Sequence, residues 1–165
     1  MDLFILRHAE AGKAMPGRAR DVERPLTAEG KEELEDVARA LSRLKIRPDH
    51  IISSPLKRCR ETANIVAKAL KERDKVEFWD ELKPEGSKQE LYKRLSNMKP
   101  ESIVLCIGHE PYLTQAVNDV MGHQGPPKIV LRKSGLARLS IKTFSPKVEG
   151  ELRWLLTPRL LKRMS

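Results

Sequence analysis

The chain has 165 residues, a mass of 18.8 kDa and a formal net charge of +9. That length suits one domain with a sizeable core, so residues 1–165 are expected to form a single domain. With 39% hydrophobic and 33% charged residues, the composition excludes a membrane-embedded protein and a disordered chain.

The basic balance attracts phosphates, nucleic acid or an acidic protein partner. Aromatic residues make up only 4%, too few for stacking platforms, so nucleic-acid binding is not expected as the main role. No apolar run approaches the roughly 20 residues that span a bilayer, and the first eight residues are charged too early for a signal peptide. A cytoplasmic protein without a membrane partner is expected. Cys59 and Cys106 lie far apart and outside any CxxC pair, so they read as reduced, buried thiols, with no metal and no cofactor implied.

The elements follow in order. Leu3 to Leu6 is an unbroken apolar run, the pattern of a strand buried on both faces. Residues 11–23, rich in Gly, Ala, Pro and charge, read as a loop, with Lys13, Arg18 and Arg20 as its basic residues. Thr27 caps a helix whose apolar positions Leu34, Val37, Ala38, Leu41 and Leu44 repeat at helical spacing and which ends near Lys45. Asp49 to Ser53 is a second strand. Ser54 as cap and Pro55 in the first turn then open a helix running to about Glu72. Val76 to Trp79 is a third strand, and Ser87 caps a helix to about Met98. Ser102 to Ile107 is a buried strand, and Glu110-Pro111 starts a helix to about Met121. Residues 125–127 (GlyProPro) make a turn; Leu136 to Phe144 and Leu152 to Leu156 are strands with antiparallel pairing at one edge. This alternation predicts an α/β sandwich with a mostly parallel sheet.

Ligands of such sheets bind beyond the carboxyl ends of the strands. The first strand ends in Arg7-His8, the second leads into Arg58 in the first turn of a helix, and another ends in Gly108-His109-Glu110-Pro111. Two imidazoles, two guanidiniums and two helix N-termini therefore converge on one rim, a setting for an anion. An imidazole can attack phosphorus and hold it covalently. Planar arginine forks match the equatorial phosphoryl oxygens. Taken singly, an Arg-His pair, a SerPro or a GlyHis is an ordinary turn or cap; the chemistry lies in their coincidence at strand ends.

The segments LeuArgHisAlaGlu (6–10), ArgProLeuThr (24–27), SerSerPro with Arg58 and GluThrAla (53–63) and GlyHisGluPro (108–111) resemble the histidine phosphatase superfamily. LysSerGlyLeuAla (133–137) and TrpLeuLeuThrPro (154–158) are similar to its small SixA-type phosphohistidine phosphatase branch. The resemblance implies a three-layer α/β/α sandwich of the phosphoglycerate mutase-like kind. It implies His8 as nucleophile, Arg7 and Arg58 as phosphoryl ligands and His109 completing the pocket. Arg24 is implied near the phosphate. Ala9 stands where many members have glycine, a small-for-small exchange. Glu81 and Glu110 are both candidates for an acid that protonates the leaving group, and small members lack an obvious dedicated one.

These residues predict a metal-independent phosphatase acting through phospho-His8, on phosphohistidine in a protein or on a small phosphorylated metabolite. A non-catalytic phosphate or phosphoprotein binder is the alternative of another class, though binding alone needs no nucleophile. His50 and His123 are assigned no chemistry.

Overall fold

The computed structural model describes residues 1–13, 17, 21–126 and 128–165. Arg18, Arg20 and Pro127, which the sequence places in a basic loop and a turn, lie outside the described residues. Among the described residues, five α-helices flank one sheet, four of them where the sequence pattern puts them.

Strand β1 (Asp2–Arg7) is followed by helix α1 (Ala28–Arg43), β2 (His50–Ser53), α2 (Lys57–Leu70), β3 (Val76–Phe78), α3 (Lys88–Ser96), β4 (Ile103–Gly108), α4 (Tyr112–Val120), β5 (Leu136–Thr143), β6 (Glu149–Leu156) and α5 (Pro158–Lys162). The six strands form one sheet in the order β3-β2-β4-β1-β5-β6. The first four are mutually parallel, and β5 and β6 add antiparallel pairs at one side.

Because side chains alternate along a strand, β1 feeds two cores. Phe4 and Leu6 pack with Leu34, Val37 and Leu41 of α1, Ala63 and Val66 of α2, and Leu161 of α5. Leu3 and Ile5 pack with Leu91 and Leu95 of α3 and Leu113, Val117 and Val120 of α4. The result is the expected three-layer α/β/α sandwich. Both faces of the central strands are covered, which explains why β1 and β4 read as continuous apolar runs.

Thr27 caps α1 as predicted, its Oγ1 accepting the Gly30 amide at 3.0 Å. Gly30 is required there, since a Cβ would collide with the carbonyl oxygen of Glu10. Two local expectations change and one element is added. Ser54 does not cap α2; the helix starts at Lys57 after Leu56, with no side-chain cap. Glu149 to Glu151 extend β6 beyond the predicted Leu152 start. The tail forms α5, capped by Thr157 through the Leu160 amide with Pro158 in the first turn, a ThrPro signal that the sequence carries.

Register aligns the strand ends. Arg7 pairs with Gly108, and Ser53 pairs with Ile107, so residues 8, 54 and 109 emerge at one level on three neighbouring strands. Leu136 pairs with Leu6, which brings Ser134 and Gly135 beside Arg7 and His8.

Candidate active site

His8 and His109 leave adjacent strands with ring centroids 5.2 Å apart and planes inclined at 59°. Both are buried, 6% and 2% exposed. His8 Nδ1 lies 2.7 Å from the carbonyl oxygen of Ala9. A carbonyl only accepts, so Nδ1 carries the proton and Nε2 keeps its lone pair. The Ala9 peptide is itself pinned: its amide donates to Thr62 Oγ1 at 3.3 Å, and the Thr62 hydroxyl donates to the Arg58 carbonyl at 2.8 Å. Burial is the main cause that pushes the His8 pKa down to about 4; the Ala9 hydrogen bond opposes it, and the charges of Arg58, Arg7 and Arg24 add to it. His109 is pushed lower still, to about 2, by burial first and then by Arg58 and His8. Both rings are therefore neutral at neutral pH, the state a nitrogen nucleophile needs.

The arginines surround this pair. The Arg58 side chain, 4% exposed, sits in the first turn of α2; its Nη1 donates to the Asp21 carbonyl at 3.0 Å and lies 3.3 Å from Asp21 Oδ2. Arg24 Nε donates to Asp21 Oδ1 at 2.8 Å, and its Nη1 donates to the Gly12 carbonyl at 2.9 Å. Arg7 Nη1 donates to the Leu131 carbonyl at 3.0 Å. The Nε groups of Arg7 and Arg58 are buried with no hydrogen-bond partner among the described residues. Buried donors are normally satisfied, so two spare guanidinium N–H groups beside a neutral histidine mark a place for an anion. Burial, with Arg24 repelling it, lowers the Arg58 pKa against the attraction of Asp21. The uncapped N-terminus of α2 adds its backbone donors on the same side.

The two candidate acids differ. Glu110 is half-buried, and burial raises its pKa while hydrogen bonds from Thr114 restrain the rise. Its carboxylate accepts the Thr114 amide at 3.2 Å and the Thr114 hydroxyl at 2.7 Å, so it stands at the start of α4, next to His109. Glu81 lies in the single helical turn Asp80–Leu82 after β3 and accepts both 2.9 and 3.1 Å hydrogen bonds from Arg94 Nη1. Arg94 in turn stacks 3.5 Å over the Trp79 ring. Glu81 is thus committed to an ion pair, whereas Glu110 is held by hydroxyl and amide alone.

Several residues around the site were not singled out by sequence. Asp21 joins Arg24 to Arg58. Thr62 stands one helical turn after Arg58, an i, i+4 spacing that was readable in the GluThrAla segment. Its neighbour Glu61 accepts the Leu26 amide at 2.8 Å and so ties the ArgProLeuThr segment to α2. Cys59 is buried, as expected, but its sulfur lies 3.4 Å from His109 Nε2. Ser134 adopts a left-handed backbone, φ +57°, and its amide donates to the Arg7 carbonyl at 3.1 Å. A non-glycine residue in that conformation costs energy and typically marks a functional site. His50 pairs with Glu77 at 3.1 Å. His123 borders a separate cleft of about 710 Å³ with Tyr92, Asp119 and Phe144, at the other end of the sheet. Among the described residues, no group of three or more His, Cys, Asp or Glu is placed to hold a metal ion, and no helix is long and apolar enough to cross a membrane.

Comparison with known proteins agrees with this geometry. Residues 3–84 match the model of the histidine phosphatase superfamily (branch 1). The chain is 29% identical over 164 residues to the phosphohistidine phosphatase SixA of Escherichia coli K12, covering 98% of this chain and 97% of that one. The solved structure of a protein histidine phosphatase SixA complexed with tungstate superposes with a TM-score of 0.83 at 26% identity, covering 96% of this chain and 98% of that one. A phosphohistidine phosphatase SixA structure from Agrobacterium tumefaciens superposes with a TM-score of 0.74 at 30% identity, over 95% of this chain and 97% of that one. With its motifs in order, its strand ends aligned and its length matched to these relatives, the chain belongs to the histidine phosphatase superfamily, in the SixA-type branch.

Proposed function

We propose that this chain, working as one domain over residues 1–165, is a cytoplasmic, metal-independent phosphatase that removes the phosphoryl group from phosphohistidine on a protein. The observation that carries the reading is His8: a neutral imidazole with its Nδ1 proton held by Ala9, no Nε2 partner among the described residues, and three guanidiniums nearby. Similarity over 98% of this chain to the phosphohistidine phosphatase SixA of Escherichia coli K12 supports phosphohistidine as the substrate.

In the first step, the Nε2 lone pair of His8 forms a bond to phosphorus as the bond to the substrate nitrogen breaks. That nitrogen takes a proton from solvent water and leaves as a neutral imidazole. Arg7, Arg58 and His109 hold the equatorial oxygens, where negative charge concentrates. In the second step, water attacks phosphorus, inorganic phosphate leaves and the lone pair returns to Nε2. Arg24 supports the pocket charge with Asp21. The test is a substrate panel of phosphohistidine protein, p-nitrophenyl phosphate, phosphoserine and sugar phosphates, with acid-labile phosphoenzyme trapping and with EDTA. Phosphohistidine is expected to lead by at least tenfold in kcat/KM, with no effect of EDTA. A lead by sugar phosphates would instead assign a small metabolite, and no turnover of any substrate would assign a binding module.

Glu110, rather than Glu81, serves as acid: burial raises its pKa against Thr114 and the Arg7 charge, and it forms no ion pair among the described residues. A phosphoramidate needs little help in leaving, whereas an alkoxide needs a proton. Glu110→Gln is therefore expected to lower kcat on phosphoserine about 100-fold and to change phosphohistidine turnover less than about threefold. Equal losses on both substrates, or a substrate-dependent loss in Glu81→Gln instead, would remove the assignment.

A further inference from the structure

His109 has a buried hydroxyl partner on one ring nitrogen. Ser54 Oγ lies 2.9 Å from His109 Nε2. Ser54 is fully buried, and its oxygen also accepts the Leu56 amide at 3.4 Å. A hydroxyl has one proton to give. With Leu56 already donating to its oxygen, that proton has two acceptors in reach, the His109 Nε2 lone pair and the Cys59 sulfur. Cys59 is a poor claimant. Its own thiol donates to the Gly108 carbonyl at 3.7 Å, its sulfur is a weak acceptor, and burial pushes the thiol pKa up so that it stays protonated.

We propose that Ser54 is a positioning residue: by donating to Nε2 it fixes His109 as the Nδ1–H tautomer, so that the ring offers a hydrogen, not a lone pair, to a phosphoryl oxygen. The opposite tautomer would aim a lone pair at an anion. Nδ1 has no oxygen partner among the described residues, only the Cys59 sulfur at 3.9 Å, so its hydrogen is available. Register makes the contact possible, since the Ser54 amide donates to the Ile107 carbonyl at 2.9 Å and so sits one strand from His109. Ser54 does not cap α2 because the helix begins at Lys57, two residues beyond the expected Pro55, so its oxygen meets the Leu56 amide instead. The role rests on the phosphatase reading for its consequence, but the tautomer is a property of the resting protein.

The test is nitrogen NMR of the histidine-labelled chain, with and without inorganic phosphate, alongside kinetics. Wild type is expected to show His109 protonated at Nδ1 and not at Nε2. Ser54→Ala should show a mixture of tautomers and a kcat lowered about tenfold, with KM changed less than about twofold. Ser54→Thr, which keeps the hydroxyl, should restore both. A wild-type ring protonated at Nε2 overturns the proposal even if Ser54→Ala fails to fold, as does an unchanged tautomer in Ser54→Ala. A correct tautomer in a chain that turns over no phosphohistidine overturns the proposed substrate and leaves the Ser54 role standing.

Discussion

His8→Ala should abolish turnover, by roughly 10,000-fold or more, and should leave no acid-labile phosphoenzyme. Nε2 carries a lone pair on a neutral ring and has no hydrogen-bond partner among the described residues, while the arginines stabilise charge without forming a bond. Binding should survive, because Arg7 and Arg58 remain, so inorganic phosphate should still protect the variant from unfolding. Turnover within tenfold of wild type would end the covalent mechanism. The same residue has a pH signature. The unfolded imidazole titrates near its usual value of 6.5, and the folded one only near 4. Between those values the unfolded chain binds a proton that the folded chain refuses, so stability falls as pH drops from 6.5 towards 4 and is unaffected above that window. The slope is at most about 1.4 kcal/mol per pH unit for each such histidine. His109 contributes in the same direction. His8→Ala should therefore be less acid-sensitive than wild type in denaturant titrations at pH 7 and pH 5.

Why some of this was legible in the sequence, and some not, follows from range. Apolar runs and caps are local, so β1, β4 and the Thr27 and Ser87 caps could be read directly, and with them the fact that Arg7-His8 and Gly108-His109 end strands. The resemblance then joined those ends into one pocket. Register is not local. Nothing in the sequence says that Arg7 faces Gly108 or that Ser53 faces Ile107, yet this decides that His109 meets Ser54. SerSerPro looked like a helix cap because a serine before proline usually is one; the helix starts two residues later, at Lys57, and leaves Ser54 at the strand end beside His109. Asp21 escaped for the reverse reason: one of two acids in a basic loop has no local signature, and its value comes from the two arginines that fold onto it. The choice between Glu81 and Glu110 likewise waited on Arg94, thirteen residues after Glu81, which claims one carboxylate and leaves the other.

Arg58→Ala should lower kcat by about 100- to 1,000-fold, the usual cost of one preorganised charge donor at a reacting centre. Arg58→Lys should recover only part of it, since an ammonium cannot present two parallel N–H groups to a phosphoryl oxygen pair. The stability effect should run the other way. Burial and Arg24 both disfavour the Arg58 charge in the unliganded protein, and Asp21 is the main group that favours it. Asp21 keeps Arg24 as a partner at 2.8 Å when Arg58 is gone. Removing the guanidinium therefore relieves repulsion, and the variant should unfold at a temperature equal to or above that of wild type. Inorganic phosphate should raise the wild-type Tm and do little for Arg58→Ala, because the anion that satisfies the spare Nε no longer finds it. Loss of Arg58 should also raise the His8 pKa, since one of the charges that depress it is removed. A variant as active as wild type, or one destabilised yet still stabilised by phosphate to the wild-type extent, would take Arg58 out of the phosphoryl pocket. The fold holds this cation at a cost to the empty state, and the bound phosphoryl group is what makes its position favourable.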